Sequence, residues 1–392
     1  MARLAVAILA LVLLWRVIEV NATLMDERGR PQLREAHRGL YAGEDEASAA
    51  AAVARDDPAE SAAYLVIARE HRARGEGDAA MRAYSAAYEV APVDRDVLVG
   101  AASDALQAGR VAAALELLAR ALDDDAGVQD RAYPVMEQAL ASGRYAATWE
   151  SIASRNPPWL GGLVVDACRR GIEPRTIVPV FLQRVARSSA TPAETACLTE
   201  RLRDAGRWDE AYQVWLDTLP SNRLGDVGFI FNGGFEFPAS ALGFDWIADP
   251  RPERDTGHTV EFARTRGASG ERALRVDFNG RRQSGVPIAQ YLALAPGRYE
   301  LTGLARPESL HEGHGAQWTV RCVADQGAAS APVAASGRFV GTSDWEPFAF
   351  DVAIPAGCRG QLLQLEMVAA GAGPVYLAGT LWFDNLSLRQ YH

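Results

Sequence analysis

Glycines recur along the first half of the chain with a period of 34 residues. Gly75, Gly109 and Gly143 follow this spacing, and the first two are each followed five residues later by an alanine. Apolar residues stand at helical spacing on both sides of these glycines. A unit of this length cannot bury its apolar face alone, so the pattern predicts helical hairpins that stack on one another into a solenoid.

The first repeat carries small and large apolar residues at fixed positions: Tyr64, Ile67, Ala68, Ala80, Tyr84, Ala87 and the closing Pro92. This layout resembles the tetratricopeptide repeat. A second unit around Gly109 lacks the closing proline, a third around Gly143 is degraded, and a fourth is centred on Gly206, with an atypical helical pair expected over residues 158–190. The resemblance implies an all-α, tetratricopeptide-like region over residues 26–224 that binds a partner protein on its concave face. A generic alanine-rich bundle is the alternative.

The N-terminus carries an apolar segment, residues 4–15 (LAVAILALVLLW), which extends to Val20 if Arg16 and Glu19 reach the membrane interface. Its length is just sufficient to cross a bilayer as a helix. We expect residues 1–22 to form a transmembrane signal anchor, and a cleaved signal peptide or a buried core helix are the alternatives. The expected location is a single pass through an inner membrane, with the bulk of the chain in the periplasm.

The four cysteines, Cys168, Cys197, Cys322 and Cys358, are far apart and form no Cys-x-x-Cys pair, which argues against a zinc site. The first two lie in the helical region and the last two in the region after it. In an oxidising compartment each pair could form a disulfide bond. Buried free thiols are the alternative for the helical pair, so the sequence leaves the pairing open.

The sequence changes character after Pro220. Alternating apolar and polar residues then predict strands at residues 273–277, 299–304, 318–323, 348–354 and 362–367. Glycine, proline and serine separate these segments, as is typical of an antiparallel sandwich. Helices followed by strands indicate separate domains, so we expect an all-β domain over residues 225–392 and a multidomain protein as a whole.

Several short motifs occur in order along this region: NGGFE at residues 232–236, QYL at 290–292, LAPGRY at 294–299 and FDNLSL at 383–388. Together they resemble the jelly-roll carbohydrate-binding modules of families four and nine. The resemblance covers the whole C-terminal domain and implies a jelly-roll sandwich that binds saccharide. Other domains of this shape are purely structural, because a fold does not determine a function.

Saccharide binding requires flat aromatic faces for stacking and amide or carboxylate groups for the hydroxyls. The resemblance places a groove near the middle of the module, where Trp246, Gln290, Tyr291 and Trp318 lie on or beside predicted strands. For each of these residues, packing in the core is the alternative. Trp345 stands directly before a strand, where similar modules place a core residue.

Similar modules also hold a structural calcium ion near the start and the end of the fold. The matching positions here are Glu236 and Asp384, whose carboxylates are the hard oxygen ligands that calcium prefers. The alternative is that both side chains accept hydrogen bonds in turns and at strand ends.

No catalytic motif is present: the six histidines form no His-Glu-x-x-His pair, and the chain has neither a Gly-x-Ser-x-Gly elbow nor a phosphate-binding loop. The formal charge of -10 argues against a nucleic-acid partner. We therefore expect a membrane-anchored, non-enzymatic scaffold that binds a partner protein and a glycan in envelope or exopolysaccharide assembly. The alternatives are a pure assembly factor with a structural sandwich and an unrecognised glycan-active enzyme.

Overall fold

A computed structural model describes residues 46–124, 126–248, 257–266, 269–310, 314–323, 329–369 and 374–391. The chain divides into two compact units. The first contains the described residues up to Ala139 together with Arg144–Ile152, and the second contains Leu140–Gly143 and the described residues from Ala153 onward. The predicted anchor, residues 1–22, lies outside the described residues.

The helical region consists of antiparallel hairpins. Its helices are α1 (Glu46–Asp56), α2 (Ser61–Ala73), α3 (Gly77–Val90), α4 (Arg95–Gln107), α5 (Val111–Asp124), α6 (Gln129–Ala141), α7 (Ala146–Arg155), α8 (Leu160–Arg169), α9 (Pro174–Val185), α10 (Pro192–Asp204) and α11 (Trp208–Asp217). The hairpin α2–α3 recurs as α4–α5 one period of 34 residues later. The predicted atypical pair over residues 158–190 corresponds to α8 and α9.

Two glycine positions explain how the repeating hairpins close and pack. Gly75 joins α2 to α3 with a positive φ of 75°, a backbone conformation that glycine adopts without steric cost. Gly100 has a different role, because a Cβ atom there would overlap the ring of Tyr84. The missing side chain therefore lets α4 approach α3 closely, and Arg72 on α2 adds an ion pair with Asp104 on α4.

The boundary between the units differs from the predicted domain boundary near residue 224. Helices α8–α11 belong to the same compact unit as the strands. Aromatic packing explains this grouping: a Cβ atom at Gly360, directly before a strand, would overlap the ring of Trp208 on α11, and one at Gly243 would overlap Trp215. The periodicity of the sequence predicts where the helices are. It does not predict which compact unit they belong to, because that depends on the residues that their side chains contact.

The strands form a sandwich of two antiparallel sheets, which confirms the predicted β architecture. They are β1 (Ile247–Ala248), β2 (His258–Arg264), β3 (Arg272–Arg282), β4 (Ile288–Leu292), β5 (Gly297–Glu308), β6 (His314–Val323), β7 (Ala329–Ala335), β8 (Glu346–Ile354), β9 (Gln361–Ala369) and β10 (Tyr376–Tyr391). Sheet A has the order β1-β4-β9-β6-β7 and sheet B the order β2-β3-β10-β5-β8. All five strands predicted from alternation lie within observed strands.

Both cysteine pairs that the sequence left open are joined in the structure. Cys168 on α8 bonds to Cys197 on α10, and Cys322 on β6 bonds to Cys358, which precedes β9. All four cysteines of the chain are thus paired. Among the described helices, none has the length and apolarity needed to span a membrane.

Candidate functional site

Two of the predicted saccharide-binding residues lie in the core between the sheets. Trp246 and Trp318 are both fully buried, with ring centroids 5.9 Å apart, and Trp318 also contacts Phe383 at 5.2 Å. This placement contradicts the predicted role in ligand binding, because a fully buried ring has no face available for a sugar. On β6, alternation directs Trp318 to the core together with Val320.

Gln290 and Tyr291 are neighbours on β4 and point to opposite sides of sheet A. Gln290 is fully buried, and its amide accepts a hydrogen bond from Phe231 N (3.1 Å) and donates one to Phe231 O (2.9 Å). These bonds hold the backbone at Phe231 against β4, and the full burial of Gln290 keeps its amide away from the surface. Tyr291 is half-buried, with the Arg203 guanidinium 4.2 Å from its ring centroid and the Trp208 ring 5.8 Å away.

A cleft lies beside Tyr291, between α11 and the end of β4. Phe229 stands in it with 43% of its surface exposed, although its ring edge contacts Tyr299 at a centroid distance of 5.4 Å. On one side of Phe229 is a cavity of about 350 Å³ with mainly apolar walls, in which Tyr212, Phe231, Phe244 and Tyr291 supply aromatic rings. Its volume suits one or two sugar rings. We call this cavity and its neighbour the Phe229 cleft.

The second cavity of the Phe229 cleft, about 660 Å³, lies on the other side of Phe229 and has charged walls. Arg207 is paired there with Glu210, and hydrogen bonds from Arg207 and Arg175 lower the pKa of Glu210 to about 2. Arg359, an exposed residue beside the Cys322–Cys358 disulfide, lines the same cavity. The cleft therefore combines aromatic faces with charged hydrogen-bonding groups.

A second polar feature occupies the outer face of sheet A, on the central strands β6 and β9. Arg321 donates to Glu366 at 2.7 Å, and Gln364 donates to the same carboxylate oxygen. Partial burial raises the pKa of Glu366, but these hydrogen bonds outweigh the burial, so that its pKa is lowered. Arg321 and Gln364 thus both hydrogen-bond to Glu366, and these three side chains include no aromatic ring on which a sugar could stack.

The two residues predicted to bind calcium lie close together. Gly234 stands between them, since a Cβ atom there would be 3.9 Å from both Asp384 Oδ1 and Glu236 Cγ. Asp384 is fully buried and accepts hydrogen bonds from the backbone N–H groups of Ser269 (2.8 Å) and Asn385 (2.7 Å). Burial, with a contribution from the Glu236 charge, raises the pKa of Asp384 to about 6.

This pair fits a hard cation, because two carboxylates of like charge lie near one another and one of them is fully buried. One oxygen of Glu236 is already engaged, since Oε1 accepts from the N–H groups of Glu271 (2.9 Å) and Arg272 (3.2 Å). In the described part of the chain, no cluster of three or more His, Cys, Asp or Glu residues could hold a metal. A calcium ion here would complete its coordination with carbonyl and water oxygens.

We expect calcium to stabilise the folded chain through Glu236 and Asp384. Adding 5 mM calcium to the chelated protein should raise the melting temperature by roughly 3 to 8 °C, since binding to the folded state alone adds stability that grows with the logarithm of the ligand's excess over its dissociation constant. Differential scanning calorimetry measures the shift. The variant Glu236→Gln keeps an acceptor for the two N–H groups and should lose the response. A shift below 1 °C in the wild type would show that the pair only accepts hydrogen bonds.

No protein-family model matches the chain, and no curated protein matches it. The β region is similar to solved carbohydrate-binding modules. A structure described as "CBM4 structure and function" is 16% identical, covers 41% of this chain and 99% of its own, and has a TM-score of 0.31. The CBM22-1 xylan-binding domain of Paenibacillus barcinonensis Xyn10C is 16% identical, with coverages of 40% and 91% and a TM-score of 0.29. TmCBM61 in complex with beta-1,4-galactotriose is 13% identical, with 42% and 99% covered and a TM-score of 0.27. The sandwich architecture rests on the strand pairing of this chain, and no ligand is transferred from these structures.

Sequence reasoning missed most of the Phe229 cleft and found only Tyr291 and Gln290 of its lining. Tyr212 lies on α11 and Phe229 in the link to the sandwich, about 60 to 80 residues before Tyr291 in the chain. The segment GFIFN at residues 228–232 was a usable signal, because two aromatic residues flank one apolar residue outside any predicted strand. Nothing in that segment indicated that α11 would fold against it.

Proposed function

We propose that the chain is an exported, membrane-tethered and non-enzymatic scaffold. Its β-sandwich unit binds a saccharide, and its helical hairpins bind a partner protein, in the assembly or export of an envelope polysaccharide. The single observation that carries the saccharide part is the Phe229 cleft, where an exposed aromatic ring stands between an aromatic cavity and a charged one. Aromatic faces that stack on sugar C–H groups, next to groups that bond hydroxyls, are what saccharide recognition requires.

Export is supported by the cysteines. Both disulfides join residues far apart in the sequence, with sequence separations of 29 and 36. Such bonds persist in oxidising compartments and are rare where thiols are kept reduced. The apolar N-terminal segment predicted from the sequence would deliver the chain to such a compartment.

Partner binding is supported by a groove in the first unit. Helices α3 and α5 flank it and α4 forms its floor, and its volume is about 520 Å³. Met81 and Tyr88 supply apolar and aromatic surface on the α3 side, and Leu117 does so on α5. The hairpins have the 34-residue spacing of tetratricopeptide repeats, a family that binds peptides.

The test is binding of the full-length chain, in mild detergent, to a panel of bacterial and plant polysaccharides by affinity electrophoresis. Phe229→Ala should weaken retardation by about three- to tenfold, the effect of losing one aromatic contact. Tyr376→Ala is the matched control, because Tyr376 is 51% exposed and lies outside the cleft. If no polysaccharide retards the wild type, or if Phe229→Ala binds as well as the control, the saccharide proposal is wrong.

A pure assembly factor with a structural sandwich is the second candidate. The burial of Trp246 and Trp318 favours it, because these rings were the predicted stacking faces. The packing of Arg203 and Trp208 on Tyr291 favours it as well, since α10 and α11 occupy part of the surface that a ligand would need. For this candidate, the full-length chain should capture a protein and no polysaccharide.

A further inference from the structure

Arg359 is an exposed arginine in the charged cavity of the Phe229 cleft. The other arginine of that cavity, Arg207, is paired with Glu210 and lies 2.5 Å from Glu173. Arg359 differs, because it forms no ion pair or side-chain hydrogen bond within the described part of the chain. Its Nη1 reaches the turn between α10 and α11, 3.4 Å from where a Cβ atom of Gly206 would stand. The guanidinium therefore has N–H donors to offer to a ligand.

The turn that carries Arg359 is fixed on both sides. Cys358, directly before it, is bonded to Cys322 on β6. Gly360, directly after it, lies against the Trp208 ring, which a Cβ atom at this position would overlap. Both neighbours are buried, whereas Arg359 is exposed. The backbone is thus held by packing while the charged side chain faces solvent, which reduces the entropy lost when a ligand binds there.

A buried amide joins this turn to the wall of the cleft. Gln361 is fully buried, accepts a hydrogen bond from Leu294 N at 2.8 Å and donates one to Leu294 O at 3.2 Å. The same amide donates to Cys358 O at 2.8 Å. Leu294 lines both cavities of the Phe229 cleft. The position of Arg359 relative to the cleft is therefore set by buried contacts.

The remaining charges of the cavity favour an anionic ligand. Arg207 and Glu210 neutralise one another, which leaves Arg359 and Asp209 as the charges of the lining without an ion pair in the described chain. Asp209 lies in the first turn of α11, where the positive end of the helix dipole offsets part of its charge. Gln390, exposed on β10, adds an amide that can bond hydroxyl groups. A sugar with one negative charge matches this set.

We infer that the Phe229 cleft takes an acidic polysaccharide, whose anionic group pairs with Arg359. The inference rests on the proposed function, because it names the class of saccharide that binds in the same cleft. The planar guanidinium suits this role, since it can donate to two oxygens of one anionic group. A uronic acid or a sulfated sugar supplies such a group. The formal charge of -10 repels anionic polymers from the chain as a whole, so that binding one requires a specific site.

The test is affinity electrophoresis of the full-length chain in mild detergent with EDTA, which keeps calcium from bridging protein and polymer. Two pairs of polymers share a sugar backbone and differ in charge: polygalacturonate with its methyl ester, and dextran sulfate with dextran. Retardation is measured relative to a gel without polymer, which removes the effect of a changed net charge. At least one acidic polymer should bind about three- to tenfold more tightly than its neutral counterpart. The pair that responds distinguishes a carboxylate from a sulfate.

Three variants assign the effect to the cavity. Arg359→Gln keeps a polar side chain and should weaken binding of the acidic polymer about three- to tenfold, without changing binding of the neutral one. Asp209→Asn removes a negative charge from the lining and should strengthen binding of the acidic polymer about twofold. Arg338→Gln is the matched control, because Arg338 is exposed, lies outside the cleft and has no ion pair within the described residues. It changes the net charge equally and should bind as the wild type does.

The outcomes separate this inference from the proposed function. If Arg359→Gln binds the acidic polymer as tightly as Arg338→Gln, or if both neutral polymers bind as well as their acidic counterparts, the inference is overturned. Retardation by neutral polymers that is weakened by Phe229→Ala would then leave the proposed function intact. If Arg359→Gln weakens binding and Phe229→Ala does not, the inference stands and the stacking role of Phe229 is wrong. A wild type that no polymer retards overturns both.

Discussion

Replacing Trp318 by alanine is expected to lower the free energy of unfolding by about 3 to 5 kcal/mol, as for other large aromatic residues removed from a core. The ring is fully buried between the sheets and contacts Trp246 and Phe383. Its removal leaves a cavity that neighbouring strands cannot fill, because interiors are close-packed. Urea unfolding followed by tryptophan fluorescence or circular dichroism measures the change.

The control for this prediction is Tyr376→Ala, whose ring is 51% exposed and should contribute less than about 1 kcal/mol. Measuring both stability and polysaccharide binding of Trp318→Ala decides whether Trp318 is a structural residue or a ligand-binding one. A variant Trp318→Ala that unfolds at the wild-type urea concentration but loses polysaccharide binding would restore the role predicted from the sequence resemblance. Loss of stability without a specific loss of binding in the folded fraction would confirm a structural residue.

Arg184→Ala is expected to cost about 3 to 5 kcal/mol, because it leaves a buried carboxylate without its counter-ion. Arg184 on α9 and Glu194 on α10 have side chains 6% and 0% exposed, and Arg184 Nε donates to Glu194 Oε1 at 2.7 Å. Arg184 also donates to Asn156 Oδ1 (3.0 Å) and to Ser189 O (2.8 Å). The substitution therefore leaves Glu194, Asn156 and Ser189 without this donor. Chemical denaturation measures the resulting loss in the free energy of unfolding.

Two further variants show whether charge is the cause. Arg264→Ala removes an ion pair with Glu271 at 3.6 Å in which both side chains are more than three-quarters exposed, and it should change stability by less than about 0.5 kcal/mol. The double variant Arg184→Met with Glu194→Gln removes both charges and keeps an acceptor for Thr191 N, which Glu194 Oε2 binds at 2.8 Å. It should recover part of the loss, since a neutral pair needs no counter-ion. A double variant less stable than Arg184→Ala would contradict this explanation.

Sequence reasoning predicted the secondary structure well where the pattern is periodic. The hairpins around Gly75 and Gly109 and all five alternating segments of the β region correspond to observed elements. These patterns are local, because a helix repeats every 3.6 residues and a strand every two, whatever lies beside it. The extent of the units was not predicted, since Trp208 and Trp215 tie the last helices to the sandwich through contacts between distant segments.

The candidate site was predicted only in part, and the reason is visible at Tyr291 and Trp318. Both are aromatic residues on or beside predicted strands, so the sequence predicted that both bind saccharide. In the structure both lie on strands of sheet A. Alternation assigns neighbouring residues to opposite faces but does not say which face is the core. Tyr291 turned out to face the cleft and Trp318 the core, and Phe229, which no strand pattern includes, became the exposed ring.

The sequence by itself determined the order of the helical and β regions, the period of the hairpins and the position of the strands. It also identified the two pairs of cysteines that could form disulfide bonds. It placed Glu236 near Asp384 through a resemblance, and the structure brings them together. Only the tertiary structure decided which cysteines bond, which tryptophans are buried, and that Phe229 is exposed in a cleft. The physical reason is that periodicity depends on neighbours in the chain, whereas burial and pairing depend on residues that are far apart in sequence and meet only after folding.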